Sequence, residues 1–315
     1  MTTALIYDER FLNHDTGDCP ENTERYQAIM ATLKDDTNLW DKLLKKAPHP
    51  ATVTDLSRCH SEELIKHVAT ICENGGGHID MDTVVCPESY EIALLSAGAA
   101  MTAVDEVLTK NAKNAFSFAR PPGHHATRNR AMGFCLFNNA AIAARYAQAK
   151  YNLDTVLIVD WDVHHGNGTQ DIFYEDPSVF YFSIHQYPFY PDSGAFSEIG
   201  EGLAKGSTLN IPLPADTEAQ LHRQAFTAGL KTIKKIFTPD LIIISAGFDA
   251  RKGDPLANMN LSVDDFLAMT SEVMDLADEC CSGRVVSVLE GGYLDQENTL
   301  GEAVRQHLLG LANLT

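Results

Sequence analysis

Short apolar runs recur along the chain, and within the central runs the apolar residues are continuous rather than alternating. The clearest are "TVLIVD" at 155–160, "DLIIISA" at 240–246 and "RVVSVLE" at 284–290. A strand that is apolar on both faces needs cover on both faces, which is typical of parallel sheets enclosed by helices. This feature predicts an α/β protein with a mostly parallel central sheet.

Longer amphipathic segments separate these runs and fit helices. The predicted strands cover residues 3–8, 115–120, 155–160, 178–184, 207–213, 240–246 and 284–290. The predicted helices cover roughly residues 22–34, 61–73, 88–110, 137–149, 217–236, 262–280 and 296–312. Strand–helix alternation over the whole length favours a parallel α/β arrangement. Since no internal repeat, low-complexity tract or linker interrupts it, we expect residues 1–315 to form one domain.

Charge and cysteine content narrow the class of partner and compartment. The 315 residues carry a formal net charge of −19, which argues against general binding to nucleic acid or anionic membranes. The excess acid suits a cationic partner or, equally, a solvated surface. Seven cysteines without a CxxC pair favour a reducing compartment, and neither a signal peptide nor an 18-residue apolar stretch is found. We expect a cytoplasmic protein, and the sequence leaves its oligomeric state open.

Four polar clusters follow four of the predicted strands. In chain order they are "RPPGHHA", "DWDVHHGNG", "GFDARKGDP" and "GGYL". The strands that they follow are those predicted at 115–120, 155–160, 240–246 and 284–290. Because ligands bind at the carboxyl edge of open parallel sheets, the clusters predict one site built from four loops.

Asp162, His164 and Asp249 form a candidate metal site. The spacing of Asp162 and His164 puts both side chains on one side of an extended segment. Three protein ligands leave positions open for water and substrate, as in catalytic sites. A divalent metal at such a site lowers the pKa of water from ~15.7 toward ~7. Taken singly, each residue has an ordinary structural explanation, whereas the set favours a metal.

The adjacent histidines His124 and His125 form a candidate acid–base pair. Neighbouring residues of a strand point to opposite faces, so both rings reach one site only if the loop bends. The preceding residues 121–123, "PPG", permit such a bend. Histidines of this kind need orienting partners, and Asp160 and Asn167 are the candidates. A surface turn is the alternative explanation.

Aromatic residues in glycine- and proline-marked loops complete the set. Tyr293, after a pair of glycines, can donate a hydrogen bond to a developing oxyanion, or it can be a core tyrosine at a helix start. Phe134 in "MGFCLFNN" and Tyr190 in "YPFYPDSG" can wall a narrow tunnel, or they can pack within their loops.

Together these motifs resemble those of a known family. The motifs are "RPPGHHA", "GFCLFNNAAIAA", "VDWDVHHGNGTQ", "SIHQYPFYP", "SAGFDARKGDPL" and "LEGGYL". In this order, from about residue 5 to residue 300, they resemble zinc-dependent histone deacetylases and their bacterial relatives, the deacetylase-like amidohydrolases and acetylpolyamine amidohydrolases. The resemblance implies the arginase–deacetylase fold, an α/β sandwich around an eight-stranded parallel sheet.

The resemblance also implies roles for the candidate residues. Three of them, Asp162, His164 and Asp249, would hold one catalytic zinc ion. His125 would be the main general base and acid, with His124 as its electrostatic partner. Two further roles would fall to Asp160, which would orient His124, and Tyr293, which would polarise the amide carbonyl.

The family also binds potassium beside the zinc through backbone carbonyls and a carboxylate. The residues that match this site are Asp160, Asp162, His164, Ser183 and Ile184. A second, weaker match for potassium is formed by Phe173, Asp176 and Val179.

Several positions distinguish branches of the family. Asn167 occupies a position that is aspartate in the class I branch and asparagine in class II. Because this partner is neutral, we expect His125 to be less basic and the pH optimum to be lower. The polyamine-selective vertebrate branch has glutamate at the position of Leu256. The absence of that glutamate here favours acyl-lysine as the substrate. Tyr190 replaces the usual phenylalanine in the second wall of the tunnel. The predicted substrate-binding residues are Gly133, Phe134, Tyr190 and Leu256.

The resulting hypothesis is a zinc-dependent amidohydrolase that deacetylates acetyl-lysine in proteins or peptides. One rival is the same chemistry on acetylpolyamines or another small N-acyl amine, against which Leu256 argues. An arginase-like binuclear manganese hydrolase is a second rival, and it needs carboxylates where Asn167 stands. A catalytically silent acetyl-lysine reader is the third, and it would be expected to lack one of the site residues. The sequence leaves open whether zinc, iron(II) or cobalt(II) is the native metal.

Overall fold

A computed structural model describes residues 2–295, 297 and 299–314. Its strands, numbered β1 to β10, cover Thr3–Ile6, Leu44–Lys46, Gly77–His78, Val84–Val85, Asn114–Ser117, Val156–Asp160, Val179–Gln186, Thr208–Leu213, Leu241–Ala246 and Val285–Leu289. Its α-helices, numbered α1 to α10, cover Thr23–Asp35, Thr37–Trp40, Val53–Leu56, Glu62–Glu73, Ser89–Leu108, Asn139–Tyr151, Asn167–Phe173, Ala219–Ile236, Val263–Cys281 and Leu300–Ala312. Short 3₁₀ helices lie at Glu9–Asn13 and Gly202–Ala204.

One large sheet dominates the fold. Its strand order is β2-β1-β5-β10-β9-β6-β7-β8, and every neighbouring pair is parallel. All residues of the central strands β6, β9 and β10 are buried, which explains why their apolar runs are continuous. The eight-stranded parallel α/β sheet expected from the sequence is confirmed.

Helices supply the cover that these strands require. Helix α5 packs on β1, β5 and β10 and also against α6. Helix α10 packs between α1 and α9, and α9 and α10 contact the strands β9 and β5 respectively. No helix in the described part of the chain has the length and apolar content needed to cross a membrane.

The differences from the sequence prediction lie in short elements. The strand β2 at the sheet edge was not predicted, because its three residues are only partly buried and two of them are lysines. The hairpin of β3 and β4 and the short helices α2, α3 and α7 were missed as well. The last helix, predicted from residue 296, begins at Leu300, and residues 296 and 298 of that prediction lie outside the described residues.

The strand order explains how distant motifs reach one place. β5, β10, β9 and β6 are consecutive neighbours at the centre of the sheet. Each is followed by one of the four polar clusters identified in the sequence. Because these strands all run in the same direction, the four following loops meet at one edge of the sheet.

We predict that Gly98→Ala destabilises the fold. Gly98 lies within α5, where the segment before α3 crosses the helix and Ala51 donates its N–H to Leu94 O over 2.8 Å. A Cβ at position 98 would overlap the carbonyl oxygen of His49, which is backbone and cannot swing away. Overpacking of this kind typically costs about 1–3 kcal/mol. The midpoint of urea unfolding should therefore fall. A rise would contradict the packing, since an alanine with free space in a helix stabilises by about 1 kcal/mol.

Candidate active site

The loop after β5 brings two adjacent imidazoles to the same side. The ring centroids of His124 and His125 lie 4.0 Å apart. Nδ1 of His124 lies 3.2 Å from Asp160 Oδ2, and Nδ1 of His125 donates to Asn167 Oδ1 over 2.8 Å. Because the Asn167 amide oxygen accepts a hydrogen bond from Nδ1–H, the proton of the neutral His125 ring stays on Nδ1 and Nε2 is unprotonated.

The two histidines differ in their preferred charge state. Burial lowers the pKa of His125 well below its ordinary value, and the neighbouring His124 lowers it further. Burial also disfavours a charged His124, but Asp162 and Asp160 outweigh this effect and raise the pKa of His124 to about 10. The pair therefore combines a neutral ring that can accept a proton with a cationic ring that can stabilise negative charge.

Asp162, His164 and Asp249 form a compact group of possible metal ligands. Each offers one ligand atom, and these atoms lie within 4.8 Å of one another in a buried setting. Asp162 and His164 come from the loop after β6, and Asp249 comes from the loop after β9. Backbone N–H groups hold the carboxylates: Val163 donates to Asp249 Oδ1 over 2.9 Å, and Gly291 donates to Asp162 Oδ2 over 2.8 Å.

The chemistry of this group fits a divalent cation. Asp249 Oδ2 is buried and accepts no hydrogen bond, although His164 Nδ1 lies 3.2 Å away. Burial disfavours a charged His164, yet Asp162 and Asp249 raise the pKa of His164 to about 10. Buried carboxylates that draw a proton onto a histidine also attract a metal, which competes with that proton. Aspartate and histidine together suit zinc and similar ions.

Tyr293 reaches the same place from the loop after β10. Its backbone N–H donates to Asp254 Oδ2 over 2.8 Å, and its ring packs against that of Phe134 with centroids 5.8 Å apart. Burial raises the pKa of the Tyr293 phenol well above its ordinary value, and Asp249 raises it further. The phenol therefore stays protonated and can act as a hydrogen-bond donor.

A cavity of about 240 Å³ joins these groups to the surface. All four predicted substrate-binding residues, Gly133, Phe134, Tyr190 and Leu256, line it. So do the two adjacent histidines, His164 and Tyr293. Phe189 forms a further wall, with its ring stacked on His164 at a centroid distance of 5.4 Å. Phe134 and Tyr190 both line this cavity, as the first of the two alternatives for the aromatic loops requires.

The residues matched to potassium lie beneath the cavity. Asp160, the last residue of β6, pairs in register with Ser183 of β7, and Ile184 follows. Asp160 is fully buried and accepts hydrogen bonds from the Asp162 N–H at 3.2 Å and from the Tyr181 phenol at 2.9 Å.

The weaker potassium match lies between α7 and β7. Phe173 is the last residue of α7, and Val179 is the first residue of β7. Asp176, on the turn between them, holds its carboxylate 2.5 Å from Arg145.

Sequence reasoning missed several residues of this region. Glu290 is buried behind His124, Arg25 lies over the Tyr293 ring, and Phe189 lines the cavity. A signal for Glu290 was present, because a carboxylate directly after the apolar run "VVSVL" is unusual in a core strand. No comparable signal marks Arg25, because it lies on α1 and its partners near Tyr293 are far away in sequence.

We predict that Asp249→Asn weakens divalent metal binding by more than about 100-fold, because it removes a charged ligand. The amide oxygen of asparagine can still accept the Val163 N–H, so the loop should keep its conformation. Isothermal titration with zinc measures the effect.

Asp240→Asn is the matched control. Asp240 also accepts hydrogen bonds from backbone N–H groups, those of Asp154 at 2.9 Å and Thr155 at 3.0 Å. It directly precedes β9 and therefore lies at the amino ends of the strands, opposite the candidate site. Equal metal affinities in the two variants would contradict the assignment of Asp249 as a ligand.

Comparison with known proteins agrees with this geometry. A profile of the histone deacetylase domain matches residues 19–311. The histone deacetylase-like amidohydrolase of Pseudomonas aeruginosa is 41% identical over 314 residues, covering 92% of this chain and 81% of that protein. A probable deacetylase of Archaeoglobus fulgidus is 36% identical over 295 residues, covering 93% of this chain and 82% of that protein.

A solved structure extends the likeness to the whole fold. The crystal structure of the HDA15 HD domain superposes with a TM-score of 0.93 at 36% identity, covering 99% of this chain and 88% of that one. The architecture is therefore the arginase–deacetylase fold. This chain belongs to the histone deacetylase family, whose hydrolases act on acetylated lysine or other acetylated amines.

Proposed function

We propose that the chain is a single zinc-dependent catalytic domain over residues 1–315 that removes the acetyl group from acetyl-lysine in proteins or peptides. One observation carries the proposal. His125, Tyr293 and His164 line one cavity, and His164 forms a compact buried group with Asp162 and Asp249 directly beside it.

Asp162, His164 and Asp249 would hold the zinc ion, which when bound supplies Lewis-acid polarisation of the amide carbonyl and activation of water. His125 takes the proton of the attacking water at Nε2 and later gives a proton to the leaving amine nitrogen. The charged His124 stabilises the negative charge that develops on the amide oxygen.

Two further side chains act through hydrogen bonds. Tyr293 donates its phenolic hydrogen to the amide oxygen as charge builds there. Asn167 fixes the tautomer of His125 because its Oδ1 accepts a hydrogen bond from the Nδ1–H over 2.8 Å.

Support for acetyl-lysine comes from the walls of the cavity. Phe134, Phe189 and Tyr190 offer aromatic surface to an extended alkyl chain, and Leu256 adds an uncharged side chain to the lining. A small acetylated polyamine is the second candidate, and Asp82 favours it. The Asp82 carboxylate lines the same cavity and could pair with a second ammonium group.

We also propose potassium at Asp160, Ser183 and Ile184, where the Asp160 carboxylate at the end of β6 lies beside Ser183, its register partner within β7. All seven cysteines are free thiols, which supports the proposal that the protein acts in the reducing cytoplasm.

The first experiment compares kcat/KM of the zinc-loaded protein on an acetyl-lysine peptide and on acetylspermidine. We expect preference for the peptide, and a loss of about 10²–10³-fold in kcat for Tyr293→Phe, because that change removes one oxyanion donor. Preference for acetylspermidine would overturn the substrate proposal and support the second candidate. No turnover of either compound would contradict the catalytic proposal.

A second prediction concerns Gly133, which borders the cavity with a φ of +57°. A Cβ at this position would overlap Cδ2 of His125, so Gly133→Ala should displace the general base. Displacement by about 1 Å can cost about 100-fold in rate, and we expect a loss of this size in kcat/KM.

Gly17→Ala is the matched control, because Gly17 has a similar φ of +60° and nothing within 4 Å of the added Cβ. Both variants carry the same backbone strain, so only the contact with His125 differs. Equal activity of the two variants would show that Gly133 does not limit the position of His125.

A further inference from the structure

Glu290 is a buried carboxylate to which the proposed mechanism assigns no part. It directly follows β10 and precedes the loop that carries Tyr293. Its side chain does not line the cavity but points behind it, toward the loop after β5. There Oε2 accepts the backbone N–H groups of Gly123 at 2.7 Å and His124 at 3.1 Å, and Oε1 accepts the Ser245 hydroxyl at 3.0 Å.

The backbone of Glu290 is fixed as firmly as its side chain. Its N–H donates to Ala246 O at the end of β9 over 3.0 Å. Its carbonyl oxygen accepts a hydrogen bond from the guanidinium of Arg25, which also binds the carbonyl of Gly292. A single residue thus joins the end of β9, the histidine loop, the Tyr293 loop and helix α1.

The histidine loop needs such a partner for a physical reason. His124 and His125 face the same cavity from the middle of a turn, which the Ala126 N–H closes by donating to Gly123 O over 3.0 Å. In this turn the N–H groups of Gly123 and His124 point into the buried interior and not to a neighbouring strand. Buried N–H groups need acceptors, and one carboxylate oxygen serves both of these.

The Glu290 carboxylate is poorly suited to binding a metal ion. Glu290, His124 and Cys135 lie close enough to resemble a second metal group. Both oxygens of Glu290 are however already occupied by hydrogen bonds from Gly123, His124 and Ser245. The geometry therefore favours a tether between loops over a ligand.

We propose that Glu290 is a positioning residue for the deacetylation, holding the His124–His125 loop in place relative to Tyr293. This inference rests on the proposed function. Glu290 touches neither substrate nor the metal ligands, and it acts through the backbone of the histidine loop. Its loss should lower kcat and leave KM nearly unchanged, because the walls of the cavity remain intact.

The test uses Glu290→Ala and Glu290→Gln in the full-length, zinc-loaded protein. Alanine removes all three accepted hydrogen bonds, and we expect kcat to fall about 100-fold, as for a catalytic group displaced by about 1 Å. Glutamine can keep its oxygen on Gly123 and His124 and turn its NH₂ toward Ser245. We expect this conservative variant to retain most of the wild-type kcat.

Asp240→Ala is the control for a merely structural role. Asp240 is likewise a carboxylate that accepts two backbone N–H groups, from Asp154 and Thr155, but far from the site. It should lower thermal stability without changing kcat. A kcat for Glu290→Ala equal to that of wild type, or equal losses for alanine and glutamine, would overturn the proposal. If the alanine variant does not fold, Glu290→Asp replaces it, because the shorter carboxylate cannot reach both N–H groups and should also lower kcat.

Two readouts separate this inference from the proposed function. Zinc content per chain should be the same in all variants, and the NMR resonances of the His124 and His125 rings should shift in Glu290→Ala but not in Asp240→Ala. Unshifted rings in Glu290→Ala would overturn the positioning role whatever the activity. A wild type without turnover would instead contradict the proposed function, while the ring shifts would still report on the tether.

Discussion

Asp162 and Asp249 place two carboxylates in the interior, at the carboxyl edge of a sheet whose strands are otherwise apolar. Burial of charge without a partner is strongly unfavourable, so the surroundings of these groups must supply positive charge and hydrogen-bond donors. Backbone N–H groups of Val163 and Gly291 provide part of this. Asp162 and Asp249 also raise the pKa of His164 against the effect of burial, so the two carboxylates favour a positive charge beside them.

The two adjacent histidines of the candidate site respond to this charge. Asp162 and Asp160 raise the pKa of His124, whereas burial and then the neighbouring His124 lower the pKa of His125. Asp160 Oδ2 lies 3.2 Å from His124 Nδ1 and accepts a hydrogen bond from the Tyr181 phenol over 2.9 Å. The different preferred charge states of the two imidazoles therefore follow from their surroundings: burial for His125, and the nearby aspartates for His124.

Much of the fold could be predicted from the sequence because continuous apolar runs have few structural solutions. "TVLIVD" and "DLIIISA" cannot be half-exposed strands, and their polar endings indicate where the loops meet. The order of the strands could not be predicted, since long helical crossovers leave the choice of neighbour open. The short edge strand β2 was missed because its half-exposed lysines carry no apolar pattern.

The residues of the candidate site also fall into those that could be predicted from the sequence and those that could not. Residues with rare chemistry, such as His124 and Asp162, were identified because their types and spacing are unusual in a strand ending. Phe189 was not, because its part depends on a contact between separate loops, and for Glu290 the sequence shows an unusual carboxylate after a strand but not which backbone groups it binds. A motif shows which groups are present, whereas the hydrogen bonds from Gly123 and His124 to Glu290 are visible only in the structure.

The most direct test of this account is to titrate the metal-stripped protein with zinc while turnover of an acetyl-lysine peptide is followed. Asp162, His164 and Asp249 offer one set of ligands, so we predict that activity rises linearly to one equivalent of zinc per chain and then stays constant. Full turnover by the metal-free protein, or a requirement for a second equivalent, would contradict the account. The second of these results would point to a binuclear hydrolase instead.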